Sequence, residues 1–471
     1  MKKIFTLCAL VFAMVANAGI RTISLDSSSN IKEILGADSL TIDSLKVNGF
    51  LSHANLSTIT QMTNIALKYI DFSGCDFENN TLPYRGLNPT PFAIRDDIGW
   101  KTRLRHVVFP ESLDVIESQA MIACVYLTTL QLPGHVSKIE PFALADLWCL
   151  GDELVVPQGL TTIKRSAFAR MSAMRHLSLP SGIEEIENDA FSEMNELKEL
   201  NLPEGLKRIG SNAFSGLECM EHDIVFPESL EELGDYSFNG LANYGFAQIK
   251  VIFKPGCKIK SIPGNCFYYS RIVGVEFSDG IEEIMQSAFE STEISDLYLP
   301  ASLHVIDERA FCDNRSLRRV VLPETTVLIG NDAFKECPLL TSVYTKSRTP
   351  SRYIKAASFE HPEQMTLYVP VGAREAYAAA DHWKDFGKIV EVEEFPSAGR
   401  EAVIAGGGNA ARAFGAQGAA VIEGEGARYA IFTTDGREVA SGIADGRTEV
   451  PLPQGIYVAR TATATHRIAV R

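Results

Sequence analysis

Few residues of this chain have the types and spacing that chemistry requires, and the clearest such group is a glycine-rich run. Gly406 to Ala411 matches the G-x-G-x-x-A pattern with which a strand-to-helix turn binds a dinucleotide, and Glu423 and Glu425 follow at about the spacing of the ribose-binding acid. Such a turn needs helix and strand patterns around it. Here a Gly/Ala-rich stretch and short β patterns surround the run, so we interpret it as a linker and expect no cofactor.

The histidines and the standard catalytic motifs offer no second candidate for chemistry. The sequence contains no P-loop, H-E-x-x-H, G-x-S-x-G or EF-hand pattern, and its nine histidines are scattered. His106 and His176 take equivalent strand positions, which is more typical of a solvated repeat position than of a pair of metal ligands. We therefore expect no enzyme activity and no catalytic or metal-binding residue.

The cysteine positions favour buried thiols over disulfides. Of nine cysteines, eight remain after the N-terminal segment. Cys124 and Cys337 occupy the same position in two distant repeats, and Cys266 stands where most repeats have alanine. Small buried hydrophobic residues are placed in this way. No C-x-x-C spacing supports a zinc site.

The charge balance and the N-terminus indicate an exported acidic protein. Lys and Arg number 44 against 59 Asp and Glu, and the net charge of −15 does not favour binding to nucleic acid or to an anionic membrane. Residues 1–18 combine two lysines, an apolar run and an A-N-A ending, as signal peptides do. We expect cleavage after Ala18, no transmembrane segment, and a secreted or outer cell-surface location.

A repeat of about 23 residues runs through the middle of the chain. One aromatic or apolar residue, here called the Phe position, recurs at steps of 22 to 24 residues with a single step of 29. The residue five places earlier is Ile or Leu and is called the Ile position. The Phe positions are Met121, Leu144, Phe168, Phe191, Phe214, Phe238, Phe267, Phe289, Phe311 and Phe334. The Ile positions are Ile116, Ile139, Ile163, Ile186, Ile209, Leu233, Ile262, Ile284, Ile306 and Ile329.

One unit shows what each repeat can form. Leu177 and Leu179 alternate with His176 and Ser178, which predicts a short strand with one buried and one open face, and Pro180 ends that strand. The small residue before each Phe position leaves space for a ring. No single unit can bury this set alone, so stacked units must form continuous ladders with a cap at each end.

The unit pattern L-x-x-L-x-L-P-x-x-L-x-x-I-x-x-x-A-F, as in Leu197 to Phe214, resembles the BspA-type leucine-rich repeat of bacterial surface proteins. The resemblance implies a leucine-rich-repeat solenoid that is right-handed and β-rich, with short helical turns. Ten repeats would span residues 104–339, after divergent N-terminal repeats or a cap over 19–103. A terminal repeat and a capping helix would occupy 340–392.

The C-terminal part of the chain is predicted to form a separate module. Residues 393–426 have the composition of a Gly/Ala-rich linker, and 427–471 predict a small β-sandwich. This end resembles the C-terminal sorting domain of the type IX (Por) secretion system, which implies delivery to the outer surface. The matching elements are Asp435-Gly436-Arg437, Leu452 with Gly455 and Tyr457, and Arg467 to Arg471. A β-sandwich without any role in export remains the alternative.

One face of the stacked strands is the candidate binding surface. The residues two and four places before the proline point away from the core, and stacking sets them side by side. A broad shallow face suits protein recognition better than a small-molecule pocket. The candidate ligand-binding residues are His106, Gln131, Glu153, His176, Ser178, Glu199, Asn201, Asp223, Asp296, Tyr298 and Arg319.

These observations favour an exported, non-enzymatic adhesin or interaction scaffold that binds proteins through the solenoid face. The resemblance to BspA-like proteins implies host or neighbouring-cell surface and matrix proteins, such as fibronectin, as partners. The alternative is a carbohydrate-binding surface protein that captures glycans. For any one face residue, the alternative is that it is simply solvated on the sheet and binds nothing.

Overall fold

The computed structural model describes residues 19–88, 102–244 and 247–397, and six stretches of the C-terminal part. These stretches are 412–416, 419–423, 427–433, 438–444, 447–461 and 465–470. The predicted signal peptide, the glycine-rich run and the turn at Asp435-Gly436 lie outside the described residues. The chain divides into two compact units, Met1–Val392 and Glu393–Arg471.

The first unit is a solenoid, as predicted, and its turns contribute parallel strands of two kinds. The longer strands, here called face strands, are Arg21–Leu25, Ser44–Leu51, Tyr69–Phe77, His106–Val108, Thr129–Gln131, Asp152–Val155, Met174–Ser178, Ile224–Phe226, Ile249–Phe253, Ile272–Glu276, Asp296–Tyr298, Arg319–Leu322, Ser342–Thr345, Thr366–Pro370 and Lys388–Val392. The two-residue strands are Thr81–Leu82, Val115–Ile116, Lys138–Ile139, Thr162–Ile163, Glu185–Ile186, Arg208–Ile209, Glu232–Leu233, Ser261–Ile262, Glu283–Ile284, Val305–Ile306, Leu328–Ile329 and Tyr353–Ile354.

Helices are few in the described residues. The α-helices are Ile31–Leu35, His53–Thr63 and Arg374–Ala379, and the 3-10 helices are Gly36–Leu40, Glu78–Asn80 and Pro362–Gln364. No helix in these ranges is long and apolar enough to span a membrane. Side chains of the helix His53–Thr63 pack into the N-terminal end of the core, where Leu56 and Ile59 are fully buried.

The core of the solenoid is a ladder of the predicted Phe and Ile positions. Every Phe position is fully buried, and no Ile position is more than 7% exposed. Phe168 and Phe191 stack with centroids 5.4 Å apart, and the planes of Phe289 and Phe311 differ by only 2°. Because each ring contacts the rings before and after it, burial depends on the neighbouring units, which confirms the predicted mode of stacking.

A backbone ladder beside the rings was not predicted. The Phe168 N–H donates to the Ala190 carbonyl (3.0 Å) and the Arg170 N–H to that of Ser192 (2.7 Å), so donors in one unit meet acceptors in the next. This ladder requires a left-handed residue two places before and two after the Phe position, as at Ser166 (φ 52°) and Arg170 (φ 59°). The left-handed residues before it are Gln119, Phe142, Ser166, Asp189, Asn212, Tyr236, Asn265, Ser287, Arg309 and Asp332. Those after it are Ala123, Asp146, Arg170, Glu193, Gly216, Gly240, Tyr269, Ser291, Asp313 and Glu336.

A buried position three residues after the Phe position changes from apolar to polar along the solenoid. It holds Met194 and Leu217 in the middle units, then Ser270, Thr292 and Asn314. Each of the polar side chains is hydrogen-bonded: the Ser270 hydroxyl accepts from the Leu241 N–H (3.0 Å), and that of Thr292 donates to the Asn314 amide oxygen (2.5 Å). Buried polar groups that are paired in this way fix one alignment of neighbouring units.

The C-terminal cap covers the last units of the ladder. The Tyr377 hydroxyl donates to the Ser347 carbonyl (3.0 Å), and the Trp383 indole N–H donates to that of Ser351 (3.0 Å). Phe386 meets the last ring, Phe359, edge to face at 5.3 Å. The capping helix, Arg374–Ala379, ends where the backbone becomes extended at Ala380 (ψ 136°). This change of direction brings Trp383 inward.

The second unit forms two antiparallel sheets. Its strands are Arg412–Ala416, Ala419–Glu423, Ala427–Thr433, Glu438–Ala444, Arg447–Pro451, Gly455–Thr461 and Thr465–Val470. The first two strands lie within the segment predicted to be a linker, where they pair as an antiparallel hairpin. Tyr457, buried at 7% exposure, donates its hydroxyl hydrogen to the Pro453 carbonyl (3.0 Å).

Candidate binding face

The face strands carry two rows of side chains that alternate with the core positions. All of them reach solvent except Val321 and Tyr344, which are 2% and 3% exposed. The first row lies four places before the proline, or before the residue that the strand register aligns with it. It includes His106, Thr129, Glu153, His176, Glu199, Asp223, Lys250, Asp296, Arg319 and Ser342. The second row, two places before that same position, includes Val108, Gln131, Val155, Ser178, Asn201, Val225, Ile252, Glu276, Tyr298, Val321 and Tyr344. The first row is mainly polar or charged, and the second carries most of the apolar and aromatic groups.

The face is less continuous than expected. Hydrogen bonding groups the face strands into four sheets, which end at Thr129–Gln131, at Met174–Ser178 and at Ile272–Glu276. The segment around Lys198 forms no strand, since Lys198 keeps one backbone hydrogen bond to each neighbouring unit. The Lys198 N–H donates to the Arg175 carbonyl (3.1 Å), and the Lys198 carbonyl accepts from the Glu221 N–H (2.9 Å). His176 still pairs with Glu199 as an isolated bridge, so the row stays aligned across this gap.

The N-terminal part of the face holds His106 in a fixed position. Its ring stacks on Tyr69 with centroids 4.5 Å apart and planes 5° apart, and its Nδ1 lies 2.5 Å from the Thr129 hydroxyl. Burial, with a smaller contribution from the neighbouring Arg105, lowers the pKa of His106. The stacked imidazole is therefore a fixed part of the surface here.

The middle of the face is exposed and acidic. The predicted residues in this part are all exposed: Gln131, Glu153, His176, Ser178, Glu199, Asn201 and Asp223. No group of three or more His, Cys, Asp or Glu side chains in the described ranges could hold a metal ion. This part of the face can therefore supply charge and hydrogen bonds to a large partner.

The C-terminal part of the face contains a cluster that sequence reasoning found only in part. The Arg319 guanidinium donates to the Tyr298 hydroxyl (3.2 Å) and lies 3.6 Å from an Asp296 carboxylate oxygen. Burial opposes the charge on Arg319, but Tyr298 and Asp296 leave its pKa raised. The structure thus brings together three of the predicted face residues, all of them half-buried.

Two further tyrosines extend this cluster. Tyr344 and Tyr368 stack with centroids 4.2 Å apart and planes 8° apart, and the strand register continues the second row from Tyr298 through Val321 to both rings. Burial, with the proximity of Tyr368, raises the pKa of Tyr344 to about 12. The sequence contains a signal for these two tyrosines, since SVYT and TLYVP alternate as the face strands do. Only the strand register shows that both belong to the second row.

The cysteines take no part in the face. All eight that follow the first segment are free, and Cys75, Cys124, Cys257, Cys266, Cys312 and Cys337 are buried as expected. Cys149 is exposed and Cys219 half-buried, so the prediction of buried thiols was wrong for these two. They lie five places after their Phe positions, where the backbone has left the core.

Comparison with known proteins identifies the repeats. Residues 72–153, 93–221, 147–254 and 243–366 match the family described as BspA type leucine-rich repeat region, in six copies. Together these matches span more than half of the chain. No curated protein matches it.

Solved structures of similar fold include three bacterial proteins. A leucine-rich cell surface protein of Faecalibacterium prausnitzii is 19% identical over 69% of this chain and 88% of its own, with a TM-score of 0.37. A leucine-rich repeat protein of Bacteroides ovatus is 18% identical, over 79% and 92%, with a TM-score of 0.39. The pneumococcal vaccine antigen PcpA is 15% identical, over 75% and 80%, with a TM-score of 0.38.

Proposed function

Since this chain belongs to the BspA-type leucine-rich repeat family, we propose that it acts outside the cell as an adhesin that binds a protein partner through its solenoid face. The contact would centre on the half-buried side chains of Asp296, Tyr298, Arg319 and Tyr368. Together with the buried Tyr344, on which Tyr368 stacks, they are here called the tyrosine-arginine cluster. Matrix or plasma proteins of the fibronectin kind are the candidate partners.

The composition and order of the tyrosine-arginine cluster support this proposal most directly. Tyrosine and arginine dominate the binding energy of protein interfaces, because both combine a large apolar surface with a polar group. Arg319 is already held by Asp296 and Tyr298, and Tyr344 by Tyr368. Side chains that are fixed before binding lose little conformational entropy when a partner covers them.

The acidic middle of the face would add long-range attraction. Glu153, Glu199 and Asp223 are exposed in one row, so they would favour a partner with a complementary basic surface. Charge reversal at Glu199 and Asp223 should slow association most at low salt. Exposed charges of this kind change the rate of encounter more than the final affinity.

Export and display are part of the same proposal. The composition of residues 1–18 supports a signal peptide cleaved after Ala18, and the motifs of 427–471 support a type IX sorting module. The intact mass of the protein recovered from the cell surface tests both assignments. A surface form that retained residues 1–18 would contradict the first, and a full-length product confined to the periplasm would contradict the second.

The binding experiment compares two arginines of the full chain. Arg319→Gln removes the guanidinium of the tyrosine-arginine cluster, whereas Arg315→Gln removes one that is 77% exposed and paired with Asp313 near the Phe-position turn. Binding to immobilised fibronectin and other matrix and plasma proteins should weaken about tenfold or more for Arg319→Gln and stay unchanged for Arg315→Gln. Equal binding by both variants, or no binding by the wild-type chain, would contradict the proposal.

A further inference from the structure

A second surface, on the turns around the Phe positions, carries exposed aromatic rings. In the sixth and seventh units these turns contain Tyr236, Tyr268 and Tyr269, of which Tyr236 is 41% and Tyr269 55% exposed. The same turns carry the amides of Asn239 and Asn265, both half-buried. We call these five residues the turn patch.

The backbone ladder brings the two turns of this patch together. The Tyr236 N–H donates to the Gly264 carbonyl (3.1 Å), and the Gly240 N–H donates to that of Tyr268 (3.0 Å). The rings of Phe238 and Phe267 beneath them stack at 5.8 Å. The patch therefore rests on two adjacent, rigid turns of the solenoid and needs no rearrangement to present its side chains.

Two of the tyrosines occupy backbone positions that do not suit them. Tyr236 (φ 58°) and Tyr269 (φ 54°) are left-handed, a conformation that asparagine adopts more readily than a bulky residue does. Asn212 and Asn265 fill the position of Tyr236 in adjoining units, and Gly240 and Ser291 fill that of Tyr269. Aromatic rings placed in a backbone conformation that disfavours them point to a use outside the fold itself.

The rings of the patch are also free to accept a ligand. Tyr268 and Tyr269 lie 6.3 Å apart with planes tilted by 35°, so neither covers the other face to face. Phe142 provides the contrast, because it stands at the same left-handed position but its ring lies under the Arg165 guanidinium, 5.7 Å from the centroid. In the tyrosine-arginine cluster, too, the faces of Tyr344 and Tyr368 are turned toward each other.

The chemistry of the patch fits a sugar. Residues 236–244 and 264–270 contain no charged side chain. The exposed Asp235 at their edge accepts from the Gly264 N–H (3.0 Å), and its negative charge disfavours an acidic sugar. The C–H groups on one face of a pyranose pack against the electron-rich face of an aromatic ring, and amides of asparagine pair with sugar hydroxyls as donor and acceptor together. We propose that the turn patch binds a neutral glycan.

The experiment applies the full chain to an array of immobilised neutral oligosaccharides that end in galactose, N-acetylglucosamine or mannose. The double substitution Tyr236→Asn with Tyr269→Ser installs the residues that fill these two positions in the following units, Asn265 and Ser291, so the fold should be kept. Phe142→Asn is the matched control. We expect glycan binding to weaken about tenfold or more in the double variant, as for loss of about 1.4 kcal/mol, and to be unchanged in the control.

Several results would overturn the assignment. They are the absence of any bound neutral glycan, a preference for charged glycans, and equal binding by the double variant and the wild type. If the double variant fails to fold, Tyr268→Ser removes a ring at an ordinary backbone position and should weaken binding alone. Because the patch and the tyrosine-arginine cluster are separate surfaces, Arg319→Gln should leave glycan binding intact.

Discussion

Phe191 and Phe214, one repeat apart, stack with their centroids 5.4 Å apart and their planes 9° apart. Neither ring is exposed, yet neither is enclosed by its own unit, since each is covered by the rings that precede and follow it. The stability of this protein is therefore carried by contacts between adjacent units, and the first prediction tests this.

Phe214→Ala should lower the free energy of unfolding by about 3 to 5 kcal/mol, because it removes a buried ring from the middle of the ladder. The same change should separate unfolding into two steps, since the stacks on either side lose contact. Denaturant unfolding followed by circular dichroism measures both effects. Tyr353→Ala, at a ring that is 61% exposed, should change the unfolding free energy by less than about 0.5 kcal/mol.

Asn314→Leu should destabilise the protein although it adds apolar surface to the core. The Asn314 amide donates to the carbonyls of Phe289 (2.8 Å) and Phe311 (3.0 Å) and accepts from the Thr292 hydroxyl. Loss of these partners should cost about 3 kcal/mol in the free energy of unfolding. Met194→Leu changes the same position in an apolar unit and should cost less than about 1.5 kcal/mol. Similar losses for both variants would contradict this account.

His106 should make the stability depend on pH. Burial and Arg105 lower its pKa below the usual value of about 6.5. As the pH falls, His106 is therefore protonated at a higher pH in the unfolded chain than in the folded protein. The stability due to neutral His106 is therefore complete above about pH 6.5 and is lost as the pH falls through the folded pKa. The difference in unfolding free energy between the wild type and His106→Gln should shrink over this range. An NMR titration in which His106 titrates at or above 6.5 would refute it.

Only two of the eight described thiols should react with a thiol reagent in the folded protein. Burial raises the pKa of Cys124 and of Cys266 to about 12, and burial with a smaller contribution from Asp71 raises that of Cys75 to about 12. Cys149 and Cys219 are accessible. Mass spectrometry after alkylation at pH 8 should show modification at these two alone, and at all eight after unfolding. Early labelling at Cys124 would show that the core opens locally.

The periodic part of the fold could be predicted from sequence because its signal is repeated ten times. Every Phe and Ile position proved buried, and the face residues of the middle units proved exposed. Alternation along each strand and the fixed step between units are enough to assign these positions.

The features that could not be predicted depend on contacts between units. The left-handed residues include Arg309, Phe142 and Gln119, which carry none of the usual glycine or asparagine signature, because the ladder bonds to the next unit impose their conformation. The stacking of Tyr344 on Tyr368 depends on register across the irregular closing unit. The gap around Lys198 likewise depends on which backbone bonds form.

The direction of the backbone ladder bears on how such a chain can evolve. Phe168 donates forward to Ala190, and Phe311 donates forward to Ala333, so each unit presents donors to its successor and acceptors to its predecessor. A tandem duplication of one whole unit joins a donor edge to an acceptor edge again, and a whole-unit deletion does the same. Changes in gene length by multiples of one repeat therefore keep every hydrogen bond of this ladder. Extra residues between the turns keep it as well, since Phe238 still donates to Cys266 (3.0 Å) across the 29-residue step.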